Sequence, residues 1–322
     1  MIMISVIIPA YNAEKTIKRT LSALTNQNYR DKYEVIVIDD GSIDDTIKIV
    51  SKFKNVKLIS IKHSGPATAR NVGVKNAKGN IILFTDADCV PSKNWIKNMI
   101  VPFKNKEIVG ISGTYKTLNK NSLIARFAGY EIETRHEKLK KEKYIDFIGT
   151  YSAAYRKNIF LKFGGFDESF QIASGEDPEL SFKINKAGLK MFFQPKAFVY
   201  HKHPDNILKF LRQKFWRGYW RVFLYKKHAY KIFRHSYTPK SLFVEEALTG
   251  VTCLFLFFGL TGLLSLYYGL LSLFVIFLFT LPFSLRVFIK DKTVGFLSPF
   301  IIILRNFFTG LGIIWGLLNF NK

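Results

Sequence analysis

Between residues 247 and 285 the chain carries no charged side chain and is dominated by Leu, Phe, Gly and Val. One membrane-spanning helix needs only ~20 apolar residues, and the run is about twice that length. Two spans joined by a tight turn are therefore expected, over 247–265 and 267–287. The turn is expected near 265–269, with Tyr267 and Tyr268 at the interface, where amphipathic rings are favoured. A third apolar segment, 296–320, is interrupted by Arg305 and Asn306, and is expected either to span or to lie along the surface. An arginine at mid-bilayer costs roughly 2.5–3.5 kcal/mol unless it meets a partner or a water-filled cavity. The alternative for the whole region is a buried helical hairpin of a soluble core, which seldom supplies so long an uncharged run.

The first hundred residues follow a different rhythm. Apolar runs at 5–8, 34–38, 57–61 and 81–85 read as strands, and helical patterns at 14–26, 44–53 and 66–76 lie between them. That alternation predicts an α/β fold with a mostly parallel sheet flanked by helices. Ligands bind such sheets beyond the carboxyl ends of the strands, and polar clusters follow three of the four strands directly. The N-terminus lacks the charged start, long apolar centre and cleavage site of a secretory signal. Cys89 lies beside an acidic pair and Cys253 within the apolar run, so no pairing is expected, which suits a reducing compartment. The first domain is accordingly expected in the cytosol, with boundaries at 1–204, 205–240 and 241–322.

The formal net charge of +24 suits three kinds of partner: nucleic acid, an anionic membrane surface or phosphorylated small substrates. Its distribution favours the membrane. From Lys202 to Lys240 there are eleven Lys or Arg against one acidic residue. Leu208, Leu211, Phe215, Tyr219 and Val222 recur at steps of three and four, while Lys209, Lys214, Arg217 and Arg221 point elsewhere. This predicts an interfacial amphipathic helix, its apolar face in the headgroup boundary and its cations on anionic lipid; packing on the chain's own first domain is the alternative. The positive-inside tendency then puts the first domain on the cytoplasmic side of a multi-pass membrane protein. No zinc spacing or RNA-binding signature accompanies the charge, so a nucleic-acid partner is not expected.

Two clusters carry chemistry. Asp39-Asp40-Gly41-Ser42 places consecutive carboxylates at the end of an apolar strand, where one must face the cleft and can accept the imide hydrogen of a uracil. Capping explains Ser42 or Asp44 without a ligand. Asp86-Ala87-Asp88 follows another apolar strand, and carboxylates at alternate positions can jointly hold Mg²⁺ or Mn²⁺ together with diphosphate oxygens.

With Val6-Ile7-Ile8-Pro9-Ala10-Tyr11-Asn12, Gly65-Pro66-Ala67-Thr68-Ala69-Arg70-Asn71, Gly164-Gly165-Phe166-Asp167-Glu168 and Gly175-Glu176-Asp177, these clusters form a series over about residues 3–204. In order and spacing it resembles the family 2 inverting glycosyltransferases of GT-A fold. The resemblance implies that Tyr11 and one of Asp39 or Asp40 hold the base, in a donor site that also takes in Pro9, Asn12, Glu14 and Gly65. It implies further that Arg70 approaches the base or diphosphate, that Asp86 faces the ribose and metal, and that Asp88 is the direct metal ligand. Asp177 would be the general base, with Glu176 sharing that role or binding the acceptor. His201 would reach back to the metal, although His203 is only two residues away. Gly165, Phe166 and Asp167 would meet the acceptor. Gln213-Lys214-Phe215-Trp216-Arg217 loosely resembles the Gln-x-x-Arg-Trp of processive members with Trp and Arg reversed; Trp216 and Arg217 are expected at the acceptor entrance.

The activity implied is metal-dependent transfer of a single hexosyl unit from a nucleoside-diphosphate sugar, with UDP favoured, to a lipid-linked or membrane-proximal glycan. Polyprenyl-phosphate sugar synthesis is a close alternative, with a polyprenyl lipid as acceptor, and a non-catalytic membrane scaffold is the alternative of another class. Homo-oligomers are compatible with an anchored protein of this kind.

Overall fold

The computed structural model describes residues 3–170, 175–232, 234, 236 and 240–319. These fall into two compact units. The first comprises Met1–Leu118, Glu133–Lys202 and Arg234–Tyr237; the second comprises Asn119–Ile132, His203–Phe233 and Thr238–Lys322. The second thus takes in a short segment from within 1–204. Of the expected interfacial segment 205–240, residues 233, 235 and 237–239 lie outside the described residues, as does Phe320 of the third apolar segment.

The first unit runs β1 (Ile4–Ala10), α1 (Ile17–Thr25), β2 (Tyr33–Asp39), α2 (Thr46–Val50), β3 (Val56–Ser60), α3 (Pro66–Asn76), β4 (Ile81–Phe84), β5 (Cys89–Pro91), α4 (Trp95–Ile100) and β6 (Ile108–Thr117). It continues through the end of α5 (Leu123–Leu139) to β7 (Ala153–Arg156), α6 (Lys157–Lys162), α7 (Glu176–Lys186) and β8 (Lys190–His201). Among the described residues the strands form one sheet of order β3-β2-β1-β4-β7-β6-β8-β5. It is parallel through β3-β2-β1-β4 and mixed beyond, since β7 runs antiparallel to β4 and β6, and β5 antiparallel to β8.

Both faces of the sheet are covered, which is why its strands read as nearly continuous apolar runs. Val6, Ile8, Val35 and Val37 pack with Leu21, Trp95 and Met99 of α1 and α4. Ile7, Ile36, Ile38 and Phe84 pack with Val74, Phe160 and Leu180 of α3, α6 and α7. The four strands expected in the first hundred residues, β1 to β4, fall within two residues of their bounds, and α3 matches its own. Helices α1 and α2 are shorter than expected, because the polar residues before them bond across to each other's loops. The Glu14 N–H donates to Asp44 Oδ2 at 3.0 Å, and the Ile43 N–H to Asn12 Oδ1 at 2.9 Å.

The second unit holds the start of α5 with α8 (Ile207–Lys227), α9 (Lys240–Leu260), α10 (Leu266–Lys290) and α11 (Lys292–Leu318). Three helices among the described residues are long and apolar enough to cross a membrane: Ser241–Leu260, Leu266–Lys290 and Lys292–Leu318. The turn between the first two lies before the expected 265–269. Helix α9 ends at Leu260, and Ser265 caps α10 by accepting the Tyr267 N–H, so Tyr267 and Tyr268 sit in the first turn of α10. The third segment is one continuous helix, and Arg305 finds partners in it and its neighbours.

Helix α8 differs from expectation. Its stripe does not form a free lipid-facing surface: Leu208 is exposed, but Leu211 is buried, and the backbone at Phe215 and Tyr219 meets α11. A Cβ on Gly312 would stand 2.0 Å from the Phe215 carbonyl oxygen, and one on Gly316 would stand 2.9 Å from that of Tyr219. Gly312 and Gly316 form the small-xxx-small spacing by which helix backbones approach closely. Lys214 and Arg221 pair with Glu131 and Glu246 rather than projecting outward. A helix's apolar stripe serves a lipid or a protein neighbour equally well, so periodicity alone does not separate them. Gly312→Ala is expected to cost roughly 1–3 kcal/mol through overpacking, seen as a lower thermal midpoint in detergent; an unchanged midpoint would show that the two backbones do not meet there.

Candidate active site

The carboxyl ends of β1 and β2 build one side of the site. Asn12 adopts φ +48°, its backbone N–H donates to Ser42 Oγ, and Glu14 accepts the Asp45 N–H through Oε2. Asn12 and Glu14 thus lock two loops together. Pro9 is partly buried near the end of β1. Tyr11 is 47 % exposed, and its ring stacks on His63 with centroids 4.1 Å apart.

The acidic pair divides its work. Asp40 accepts the Ser64 and Gly65 backbone N–H groups at 2.8 and 3.0 Å and lies 3.0 Å from His63 Nδ1, so its carboxylate holds the loop before α3. Asp39 accepts the Ser42 N–H through Oδ2 at 3.3 Å, while its Oδ1 is buried with no partner among the described residues. A buried unpaired acceptor is costly unless something fills it. Of the two carboxylates left open by the sequence, only Asp39 has an oxygen to offer a ligand. Gly65 serves the site through its backbone, bonded to Asp40.

At the centre lies Arg70, 2 % exposed. Its Nη2 donates to Asp86 Oδ1 at 2.8 Å and its Nη1 to Glu176 Oε1 at 2.9 Å. Burial works against the guanidinium charge, but Asp86 and Glu176 outweigh it and raise Arg70 above its ordinary range. The residue expected at the base or diphosphate is therefore a strut tying the end of β4 to the start of α7. Glu176, its other oxygen near the Gly175 N–H, serves as an anchor of that strut. Asp177 is placed differently. Its Oδ2 accepts both the backbone N–H and the hydroxyl of Thr150, at 3.0 and 3.1 Å, and its Oδ1 has no partner among the described residues. Burial first, and Glu176 second, push its carboxyl up to about 8 against the pull of Arg70.

The strand end beyond Asp86 offers a cation site. One donor atom from each of Asp88, Cys89 and His201 lies within 4.8 Å of the others, and His201 Nε2 is 3.7 Å from Asp88 Oδ2. A carboxylate and an imidazole fit Mg²⁺ or Mn²⁺ with further oxygens from a ligand. Asp86 is turned toward Arg70 and stands outside this group. His203, the alternative to His201, belongs to the second unit, where its backbone N–H donates to Asn119. Burial, then Asp88, raises the Cys89 thiol well above its ordinary value.

The Gly164-Gly165 turn has φ +84° and +71°, a region glycine enters without strain. At Gly165 the need is double, since a Cβ would stand 2.6 Å from Asn71 Oδ1. Asn71 fastens this loop, accepting the Phe166 N–H at 2.9 Å and donating to the Phe166 carbonyl at 2.8 Å. Phe166 is a core residue rather than an acceptor contact, at 2 % exposure with its ring against Phe84 and Phe160. Asp167 is half-buried and accepts the Ser169 N–H. Trp216 and Arg217 lie on α8 in the second unit, where the Trp216 ring packs on Phe215 and Tyr219.

Sequence reasoning misses two elements. His63 is an isolated loop histidine with no periodic or motif signal. The 3₁₀ turn Thr150–Ser152 is likewise silent, yet it links three parts of the site. Thr150 orients Asp177, the Tyr151 carbonyl accepts the hydroxyl of Thr85 beside Asp86, and the Tyr151 hydroxyl lies 3.3 Å from His136 Nε2. Burial lowers His136 to about 3, so its ring is neutral.

Comparison with known proteins places this geometry. The chain is 30% identical over 234 residues to the probable glycosyltransferase YdaM of Bacillus subtilis, covering 68% of this chain and 53% of that one, and so spans about half its length. It is 24% identical over 337 residues to the dolichyl N-acetyl-alpha-D-glucosaminyl phosphate 3-beta-D-2,3-diacetamido-2,3-dideoxy-beta-D-glucuronosyltransferase of Methanococcus voltae, covering 99% and 98% of the two chains. In fold it is similar to the mannosyltransferase PcManGT of Pyrobaculum calidifontis, solved with GDP-Man and Mn²⁺, with a TM-score of 0.65 at 18% identity over 98% of this chain and 87% of that one. Residues 5–164 match the model of glycosyl transferase family 2, and the chain belongs to that family.

Proposed function

We propose that the chain transfers a single sugar, with inversion, from a nucleoside-diphosphate sugar to a lipid-linked or membrane-proximal glycan at the cytoplasmic face. The observation that carries this reading is the state of Asp177. One carboxylate oxygen is fixed by Thr150, the other has no partner among the described residues, and the Arg70 strut runs from neighbouring Glu176 to Asp86 at the donor edge. Such a group can take the proton of an acceptor hydroxyl as it attacks the anomeric carbon. The unpaired Asp39 oxygen is the acceptor for a uracil imide, and the exposed ring of Tyr11 is a stacking face for the base, which favours UDP. Asp88 and His201, with Asp86 beside them, are the residues to hold Mg²⁺ or Mn²⁺, which when bound neutralises the leaving diphosphate.

The acceptor class rests on the three apolar helices and on the Methanococcus voltae relative, whose name carries a dolichyl-phosphate-linked sugar. The basic stretch before the helices supports the cytoplasmic orientation. A base fits a hydroxyl acceptor better than a lipid phosphate, which is already anionic. The test is to incubate the detergent-solubilised chain and Mn²⁺ with a panel of labelled nucleotide sugars and a membrane lipid extract. Label should enter a lipid-linked glycan; label in water-soluble acceptors alone would remove the lipid part, and a single sugar on a lipid phosphate would favour the polyprenyl-phosphate reading.

The division of labour at the acidic pair gives a separate expectation. Asp39→Asn should weaken nucleotide binding roughly 10- to 100-fold, the worth of a hydrogen bond to a charged group, with the thermal midpoint little changed. Asp40→Asn should lower the midpoint, because two backbone N–H groups lose their charged acceptor. Calorimetric UDP titration beside thermal melts checks both, and the opposite pattern would exchange the two roles.

A further inference from the structure

Cys89 is the one member of the cation cluster that a hard metal does not need. Strands β5 and β8 run antiparallel with Cys89 directly opposite His201, so thiol and imidazole share one face of the sheet. Asp88 completes the set: its Oδ1 lies 3.7 Å from Cys89 Sγ and its Oδ2 lies 3.7 Å from His201 Nε2. The donors are thus one oxygen, one sulfur and one nitrogen, within 4.8 Å of one another. A tetrahedral Zn²⁺ with bonds of roughly 2.0–2.3 Å needs donors roughly 3.3–3.8 Å apart, so the cluster closes on it with a contraction of about 1 Å.

We infer that Asp88, Cys89 and His201 form a three-donor site for a thiophilic divalent cation of the Zn²⁺ and Cd²⁺ class, overlapping the harder Mg²⁺ or Mn²⁺ site of the proposed function. A hard cation uses the carboxylate and imidazole and leaves the sulfur out. A softer cation adds the Cys89 sulfur, whose proton passes to solvent as the metal–sulfur bond forms, and its place in the affinity order is already higher. Three protein ligands leave a fourth position open. The cation therefore occupies the ground that Mn²⁺ would share with a diphosphate, in a different coordination geometry. The inference uses residues of the proposed site but does not need the transfer reaction.

The test uses the full chain in detergent and the metal alone. Titration with Cd²⁺ should raise a thiolate-to-metal charge-transfer absorbance that saturates at one equivalent. The band should vanish in Cys89→Ser and persist in Cys253→Ser. Asp88→Asn, which keeps the thiol, should shift the titration to at least about tenfold higher Cd²⁺, as loss of an anionic ligand requires. Excess Mn²⁺ should suppress the band, and Zn²⁺ should release bound Mn²⁺ in the electron paramagnetic resonance spectrum. A band that survives in Cys89→Ser, is lost in Cys253→Ser, or ignores both Asp88→Asn and Mn²⁺ overturns the site. Mn²⁺ binding without any Cd²⁺ band sinks the thiophilic site and leaves the proposed function standing. If neither metal binds, both fail.

Discussion

Asp177→Asn should lower the turnover number roughly 10²- to 10⁴-fold, about 3–5 kcal/mol in the barrier, while nucleotide-sugar binding stays near the wild-type value. The amide keeps the shape of the carboxylate and can still accept from Thr150 through its oxygen, so the 3₁₀ turn and the start of α7 remain in place. What it loses is the ability to take a proton at the unpaired position. In the proposed reading donor binding rests on Asp39, Tyr11 and the end of β4, all on other elements. Isothermal titration with donor analogues beside steady-state kinetics separates the two effects. Lost donor binding with retained turnover per bound donor would move Asp177 to the donor side.

The same residue sets a pH signature. Its carboxyl is raised from 3.8 to about 8 by burial and Glu176, and only the deprotonated form can act as a base, so transfer should climb with pH toward about 8. Stability moves the other way. The folded state holds this proton more tightly than the unfolded chain does, so the group's stabilising contribution is complete below the unfolded value near 4 and is lost as pH rises through about 8. Asp177→Asn carries no such penalty and should melt higher than wild type at alkaline pH. A flat rate profile from pH 6 to 9, or a variant that melts lower at pH 9, would count against the raised carboxyl.

Several residues of the candidate site stand out in the sequence because polar clusters directly follow apolar runs. Asp39-Asp40 and Asp86-Ala87-Asp88 follow short apolar runs bounded by turn residues, the pattern of strands buried on both faces of a sheet. Which member of an adjacent pair reaches the ligand is not legible, since neighbours on a strand point to opposite faces. The loop before α3 engages both oxygens of Asp40, while Asp39 Oδ1 has no partner among the described residues, which is what favours Asp39 in the proposed reading. The family resemblance alone implies that Arg70 approaches the base or diphosphate. Its burial between Asp86 and Glu176 depends on two carboxylates distant in sequence, which no local pattern reveals. The periodicity of the α8 stripe does not name its neighbour, and in the structure Gly312 and Gly316 of α11 stand against the backbone of that helix. Glu131 was invisible for a related reason: within the charged end of α5 it looks like one more solvated acid.

Glu131→Gln is expected to be among the most destabilising single changes in the second unit, by about 3–5 kcal/mol, because it leaves buried charge uncompensated. Glu131, Lys214 and Arg305 are each under 9 % exposed. Glu131 Oε2 accepts Lys214 Nζ at 2.8 Å, and its Oε1 pairs with Arg305 Nη1. Arg305 Nη2 reaches Glu245 Oε2 at 2.7 Å, and the guanidinium also donates to Asn306 Oδ1. These two cations and two anions, one from each of α5, α8, α9 and α11, balance one another among the described residues. That answers the cost of an arginine in an apolar helix, since an intramembrane charge is tolerated where it meets a partner. Removing the Glu131 charge takes from Lys214 and Arg305 the carboxylate they share, while Arg305 keeps Glu245, and the repulsion between the two cations adds to the lost attraction. Glu131→Gln combined with Lys214→Met removes a charge of each sign and should cost less than the sum of the two single changes, the mark of direct coupling. Thermal unfolding in detergent, followed by circular dichroism across the four proteins of the cycle, measures this. Additive effects, or a Glu131→Gln loss below about 0.5 kcal/mol, would mean that the four helices are held by their apolar contacts and that the charges are bystanders.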